Sequence, residues 1–175
     1  AMSSDEAEQQ HHLGNIHESI DRANRLTEQL LTLARLDPMQ ALPDAQPIDW
    51  QRIGHQALQS VNLQAREKRV QLKLECACGF GQVFPPLGNE VLLQLMLRNL
   101  LDNAIRYSPP NSHVTLTLDA NGLSVCDEGP GIAAEHLPRI RERFYRPPGQ
   151  SQQGSGLGLS IVERIADLHG LRLDL

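Results

Sequence analysis

Aromatic side chains are scarce in this chain, with one Trp, two Tyr and three Phe in 175 residues. A core built on large rings is excluded, so packing must rest on Leu, Ile and Val, which recur at regular spacings. Lysine is scarcer still: only Lys68 and Lys73 stand against fourteen arginines. With no lysine beyond Lys73, a glycine-rich segment in the C-terminal half cannot be a Walker loop, whose lysine reaches the phosphates. The three cysteines, Cys76, Cys78 and Cys126, are odd in number, and one residue separates the first two. That argues against a disulfide framework and suits a reducing compartment. No nearby His or Cys completes a four-ligand metal site, so they read as strand thiols.

No apolar run approaches the roughly 20 residues that span a bilayer, and no leader of basic, apolar and small residues opens the chain. The chain itself is expected to be soluble. Its net charge is −5, without a basic run or aromatics interleaved with basic residues, which argues against nucleic acid as a partner. The length fits one domain with a full core plus one extra element.

That extra element lies at the N-terminus. From about Asp5 to Leu36, Leu13, Ile16, Ile20, Ala23, Leu26, Leu30 and Leu33 recur every three or four residues, the stripe of one long helix. Such a stripe needs a partner helix, from this chain or a second copy. Pro38, Pro43 and Pro47 mark residues 37–48 as a linker, and a second domain is expected over residues 49–175.

Within that domain Asp49 is placed to cap a helix reaching about Glu67. Val70, Leu72 and Leu74 alternate with polar residues as a strand, and Val83 and Phe84 end its partner. Asn89 caps the most apolar helix, which Pro109 stops. Val114, Leu116 and Leu118 form a strand that turns at Asn121 and Gly122 and returns through Leu123 to Cys126. Residues 133–153, rich in Pro, Arg and Gln, read as a mobile flap with one short helix near Glu135. A last helix runs from Gly156 to His169, closed by Gly170, and Leu171, Leu173 and Leu175 begin a further strand. The fold class is α+β, helices layered on a mixed sheet.

Three features carry chemistry. Asn99 and Asn103 lie four apart on the apolar helix, and an unpaired buried amide costs about 1–3 kcal/mol, so the pair calls for an ion, water, ligand or neighbouring helix. In "CDEGPGI" a strand ends at Asp127, whose carboxylate can accept from an exocyclic amine, and Gly129 and Gly131 let a planar ring approach the backbone. In "GSGLGLSIV" glycines lead into a helix whose free amides and dipole suit phosphate. Taken singly, each is equally an ordinary packing amide, turn or hinge.

In their order, the segments "LRNLLDNAIRYSP", "DEGPGI", "RERFYRPPG" and "GSGLGLSIV" resemble the N, G1, F and G2 boxes of bacterial sensor histidine kinases. The resemblance covers roughly residues 50–175. It implies the two-layer α/β sandwich shared with gyrase and Hsp90 ATPases, the Bergerat fold, binding ATP with Mg²⁺. Mg²⁺ is implied on the side-chain oxygen of Asn103 with Asn99 beside it. Arg106 and Tyr107 are implied to face phosphates and adenine, Asp127 to accept the adenine amine, and Gly129 and Gly131 to lie beneath the ring. Arg146 and the backbone of Ser155, Gly156, Leu157 and Gly158 are implied to close over the phosphates. Residues 133–153 become the ATP lid, with Phe144 as its hydrophobic anchor.

The resemblance also implies phosphotransfer to a histidine, relay to a cognate response regulator, a homodimer in the full-length protein, and a location as the cytoplasmic portion of a bacterial inner-membrane protein. Residues 1–36 resemble the second helix of the dimerisation and phosphotransfer hairpin. The acceptor motif itself is not found: His17 is followed by Glu18 but not by the family's Pro, so no catalytic residue is expected within this chain. Related ATPases place Glu where Asn99 stands, and an amide cannot act as a base for water. Two alternatives stand beside the kinase: an ATP-driven conformational ATPase and a non-catalytic dimerisation module.

Overall fold

The structure is a computed structural model that describes residues 16, 19–20, 23–76, 86–120, 122–149, 152 and 154–175. The predicted strand end at Val83 and Phe84, together with Cys78, His17 and Asn121, lies outside the described residues.

Local chemistry sets the helix boundaries. Helix α1 covers residues 23–36. Helix α2, Trp50–Lys68, starts where Asp49 accepts from the Arg52 amide at 3.0 Å and ends at Arg69, whose left-handed backbone returns its N–H to Ala65 and Arg66. Helix α3, Glu90–Tyr107, starts where Asn89 Oδ1 accepts from the Leu92 amide at 3.1 Å and stops at Ser108, held extended by the following Pro109. Helix α4, Gly158–Leu168, begins two residues later than expected because Gly156 has a φ of +74°.

The strands form two sheets. Gln46–Pro47 (β1) pairs antiparallel with Leu87–Gly88 (β3), so the predicted linker contributes a short ladder. Gln71–Cys76 (β2), His113–Asp119 (β4) and Gly122–Asp127 (β5) form the main sheet in the order β2-β4-β5, parallel then antiparallel. Val114, Leu116 and Leu118 bury one face of β4, while Thr115 and Thr117 between them stay half-buried. Cys76 and Cys126 are free thiols on strands, both exposed.

Helices α2 and α3 lie side by side on that sheet, and α4 packs against α3. Gly54 lets α2 settle on the sheet, since a Cβ there would sit 3.2–3.5 Å from Leu74, Leu118 and Leu116. Leu93, Leu97, Leu101 and Ile105 of α3 are fully buried against Ile161, Val162 and Ile165 of α4. Burial of this aliphatic set, at ~25 cal/mol per Å², supplies the folding drive that aromatics do not.

Two expectations are corrected. Residues 171–175 form no strand: Leu171 and Leu173 are partly buried against the core, but their backbone joins no sheet. Residues 134–141 form a run of turns instead of a helix, closed by bonds such as His136 N to Ala133 O and Arg139 N to His136 O.

Helix α1 buries only its C-terminal end. Leu33 and Leu36 join the core, while Leu26, Leu30 and Leu31, and Ile16 and Ile20 ahead of residue 23, are exposed. Arg164 of α4 donates to the carbonyls of Leu36, Asp37 and Met39, and Arg143 pairs with Asp37 at 2.5 Å. Among the described residues no helix is long and apolar enough to cross a membrane.

Candidate functional site

Helix α3, the turn after β5, the segment before Gly149 and the start of α4 enclose a cavity of about 200 Å³. Its wall brings together Asn103, Tyr107, Asp127, Gly131, Arg146, Gly156 and Gly158 from four stretches of sequence. Asn99, Arg106, Gly129, Ser155 and Leu157 do not line it.

Asn99 lies one turn before Asn103 and is 8 % exposed. Its Nδ2 donates to Leu95 O at 2.8 Å. The same side chain's Oδ1 approaches Gly158, where a Cβ would lie 3.4 Å from it and 3.5–3.7 Å from the amide of Asn103. The missing side chain at Gly158 keeps open the space on which both asparagines converge.

Asp127 is fixed by its own turn: its Oδ1 accepts from the Gly129 amide at 2.7 Å. A Cβ at Gly129 would come within 2.6 Å of that oxygen and 3.0 Å of Tyr107 O, so a side chain there would push the Asp127 carboxylate aside and press on the end of α3. Arg106, from the same end, places its guanidinium against Gly154.

Around the glycine loop, Leu157 is fully buried and gives α4 no side-chain cap, so its first-turn amides face the cavity end without a capping side chain. Ser155 Oγ accepts from the Leu157 amide at 3.1 Å and donates to Gln29 Oε1 of α1 at 2.6 Å. Arg146 donates from Nη2 to Gln152 O, while its Nε is buried without a hydrogen-bond partner in the structure. A buried guanidinium N–H lacking an acceptor fits an anion.

Phe144 corrects an expectation. Phe144 is 58 % exposed and its φ is +64°, so it anchors nothing through hydrophobic burial. The backbone makes the attachment: Phe144 N donates to Gly156 O at 3.0 Å, and a Cβ at Gly156 would lie 2.6–2.9 Å from Phe144 backbone atoms.

Burial raises the Asp102 carboxyl above its ordinary range, against the pull of Arg98, Arg106 and Arg25. Lys68 donates to the carbonyls of Ile105 and Arg106, its pKa lowered by burial and then by Arg106.

The apolar walls were not singled out from the sequence: Leu100, Ala104, Val125, Ile132, Ile140, Tyr145 and Leu159 also face the cavity. For Leu100 and Ala104 the signal was present, since each lies within one helical turn of Asn103. For Ile140 and Tyr145, in an aperiodic stretch, it was not.

A family profile described as histidine kinase-, DNA gyrase B-, and HSP90-like ATPase matches residues 88–175. Sensor protein QseC of Escherichia coli (strain K12) is 46 % identical over 159 residues, covering 91 % of this chain and 35 % of the relative. The chain thus spans about a third of the length of the curated relatives it matches. Among solved structures, the cytoplasmic segment of histidine kinase QseC aligns with a TM-score of 0.56 and 36 % identity, over 86 % of this chain and 81 % of that one. Full-length ShkA in complex with AMPPNP aligns with a TM-score of 0.76 and 28 % identity, over 93 % and 34 %.

Proposed function

This chain belongs to the histidine kinase-, DNA gyrase B-, and HSP90-like ATPase family, and we propose that it is the ATP-binding catalytic part of a two-component sensor histidine kinase. The observation that carries this reading is the convergence of Asn99, Asn103 and Gly158 beside a cavity that Asp127 and Arg146 also line. Residues 49–175 form the ATP-binding domain in this proposal, residues 37–48 the linker, and residues 1–36 a helix of the dimerisation and phosphotransfer region.

The donor set fits the nucleotide and its metal. Oxygen-bearing amides suit Mg²⁺, which keeps several waters and shares its shell with phosphates, so Asn103 would hold it with Asn99 Oδ1 alongside. Bound there, Mg²⁺ neutralises phosphate charge. Asp127, locked by the Gly129 amide, offers its carboxylate to the adenine amine. Arg146, Arg106 and the N-terminal amides of α4 balance the triphosphate.

Neither asparagine can take a proton from water, since an amide has no basic atom at neutral pH. The reading that follows is transfer: the bond from the γ-phosphorus to its bridging oxygen breaks, leaving ADP, as a histidine nitrogen from outside the site forms the new bond. The same resemblance proposes a cognate response regulator as next acceptor, a homodimer, and a membrane-anchored full-length protein whose cytoplasmic portion includes this chain.

Calorimetric titration of ATP with Mg²⁺ tests the reading. Micromolar binding, lost in Asn103→Ala and weakened in Asp127→Asn, is expected. An unaltered chain that gives no heat and no thermal shift would refute it. Steady release of inorganic phosphate would favour the conformational ATPase instead.

A further inference from the structure

We infer that His136 is a positioning residue for the nucleotide cavity: its ring, together with the Arg139 guanidinium, holds the Tyr145 ring as the wall against which the nucleoside lies. The inference rests on the nucleotide-binding reading above and extends it to residues that never touch the cavity.

Tyr145 and Ile140 line the cavity, whereas His136 and Arg139 do not. His136 Nδ1 lies 2.9 Å from the Tyr145 hydroxyl, and the Arg139 Cζ lies 4.2 Å from the ring centroid. One contact pins the phenol's tip and the other its face. His136 Nε2 faces Glu135 Oε1 at 3.5 Å, which favours a proton on Nε2 and leaves Nδ1 to accept from the phenol O–H.

The main chain of His136 organises the same turn. Its N–H donates to Ala133 O, and its carbonyl accepts from Arg139 and Ile140 at 3.0 and 2.9 Å. Glu142 holds Arg139 Nε through both carboxylate oxygens at 3.2–3.3 Å. The His136 side chain is only 19 % exposed, against 79 % for Glu135 beside it, so the imidazole is turned inward from a largely exposed stretch. An aromatic ring braced on edge and face matches a nucleoside better than a triphosphate, which the arginines and glycine loop serve.

Titrations of ADP and of inorganic tripolyphosphate into the unaltered chain, His136→Ala, His136→Asn, Tyr145→Phe and the His136→Ala/Tyr145→Phe double variant test this. Each alanine or phenylalanine variant is expected to weaken ADP about three- to tenfold, the value of one hydrogen bond, with no further loss in the double variant. His136→Asn, whose amide can meet the phenol, should return to within about twofold. Tripolyphosphate affinity and the melting temperature without ligand should not move. Additive losses, unchanged ADP affinity, or equal losses for both ligands would overturn the inference while leaving nucleotide binding intact. No ADP binding by the unaltered chain would overturn both.

Discussion

The backbone N–H of Asn89 donates to His169 Nε2 at 3.1 Å, joining the first residue before α3 to the last turn of α4 across 80 positions of sequence. The other ring nitrogen, Nδ1, donates to Ile165 O at 2.8 Å. Both bonds need the neutral ring protonated on Nδ1 alone. Burial lowers the His169 pKa, outweighing the bond to Ile165 that raises it. A native pKa below the ordinary ~6.5 means that the unfolded chain binds the proton more readily. The stabilisation is therefore fully present above that value and is lost as pH falls from it through the lowered native pKa. Urea denaturation at pH 7.5 and pH 5 should show a larger drop for the unaltered chain than for His169→Gln, which keeps an acceptor but cannot titrate. Equal drops would rule out this residue as a source of acid sensitivity.

That contact also shows where sequence reading ends. Asp49 and Asn89 are legible as caps because a cap bonds to an amide three residues away, and both bonds are present. The period-two pattern of β4 and the apolar stripe of α3 are local in the same sense. The partners of His169 are not, nor is the failure of residues 171–175 to join a sheet, since pairing depends on which edge lies near. Asn103, Asp127 and Gly158 could be read as a set from motif order. Tyr145 as a wall, the left-handed backbone of Phe144 and the bond from Ser155 to Gln29 could not, because each depends on a fold-wide approach that composition does not encode.

Gly156→Ala should uncouple the glycine loop from the segment carrying Arg146. The new Cβ would meet the Phe144 carbonyl carbon at 2.6 Å, on a backbone whose φ is +74°. Left-handed strain alone costs about 1–2 kcal/mol, and the clash adds the loss of the bond from Phe144 N to Gly156 O. Gly149→Ala is the control, since its φ is +80° but no atom lies within 4 Å of a Cβ. The expectation is strain-sized destabilisation for Gly149→Ala and a larger one for Gly156→Ala, with ADP affinity falling about tenfold or more only in Gly156→Ala. Equal ADP affinities would mean that the backbone contact plays no part in binding.

Lys68→Met should loosen the last turn of α3. The ammonium donates to the carbonyls of Ile105 and Arg106, which a helix end otherwise leaves to water. Methionine keeps the apolar stem and removes the donors. A loss of about 1 kcal/mol is expected, discounted because water can reach the half-buried site. Amide exchange should accelerate at Tyr107 and Ser108 more than at Leu97 and Leu101 in mid-helix. A uniform acceleration would show instead that Lys68 supports the whole domain.

Arg164 is the residue by which α4 holds the exit of α1. Its Nε donates to Leu36 O at 3.2 Å and its Nη2 to Asp37 O at 3.3 Å, with a further bond to Met39 O. Leu36 O ends a helix, where partial negative charge collects, and the other two carbonyls follow it, so one guanidinium supplies both donors and a complementary charge. A lysine offers a point charge and cannot span three carbonyls in the same fork, so Arg164→Lys should behave more like Arg164→Met than like the unaltered chain. The nearby pair of Arg143 and Asp37 is half exposed on both sides and should contribute little. Limited proteolysis separates the two contacts. Both Arg164 variants should open residues 37–42 to cleavage, with a loss of about 1.5–3 kcal/mol, while Arg143→Met leaves that segment protected. Cleavage unchanged in Arg164→Met would mean that the buried Leu33 and Leu36, with the bond from Ser155 to Gln29, hold α1 in place without it.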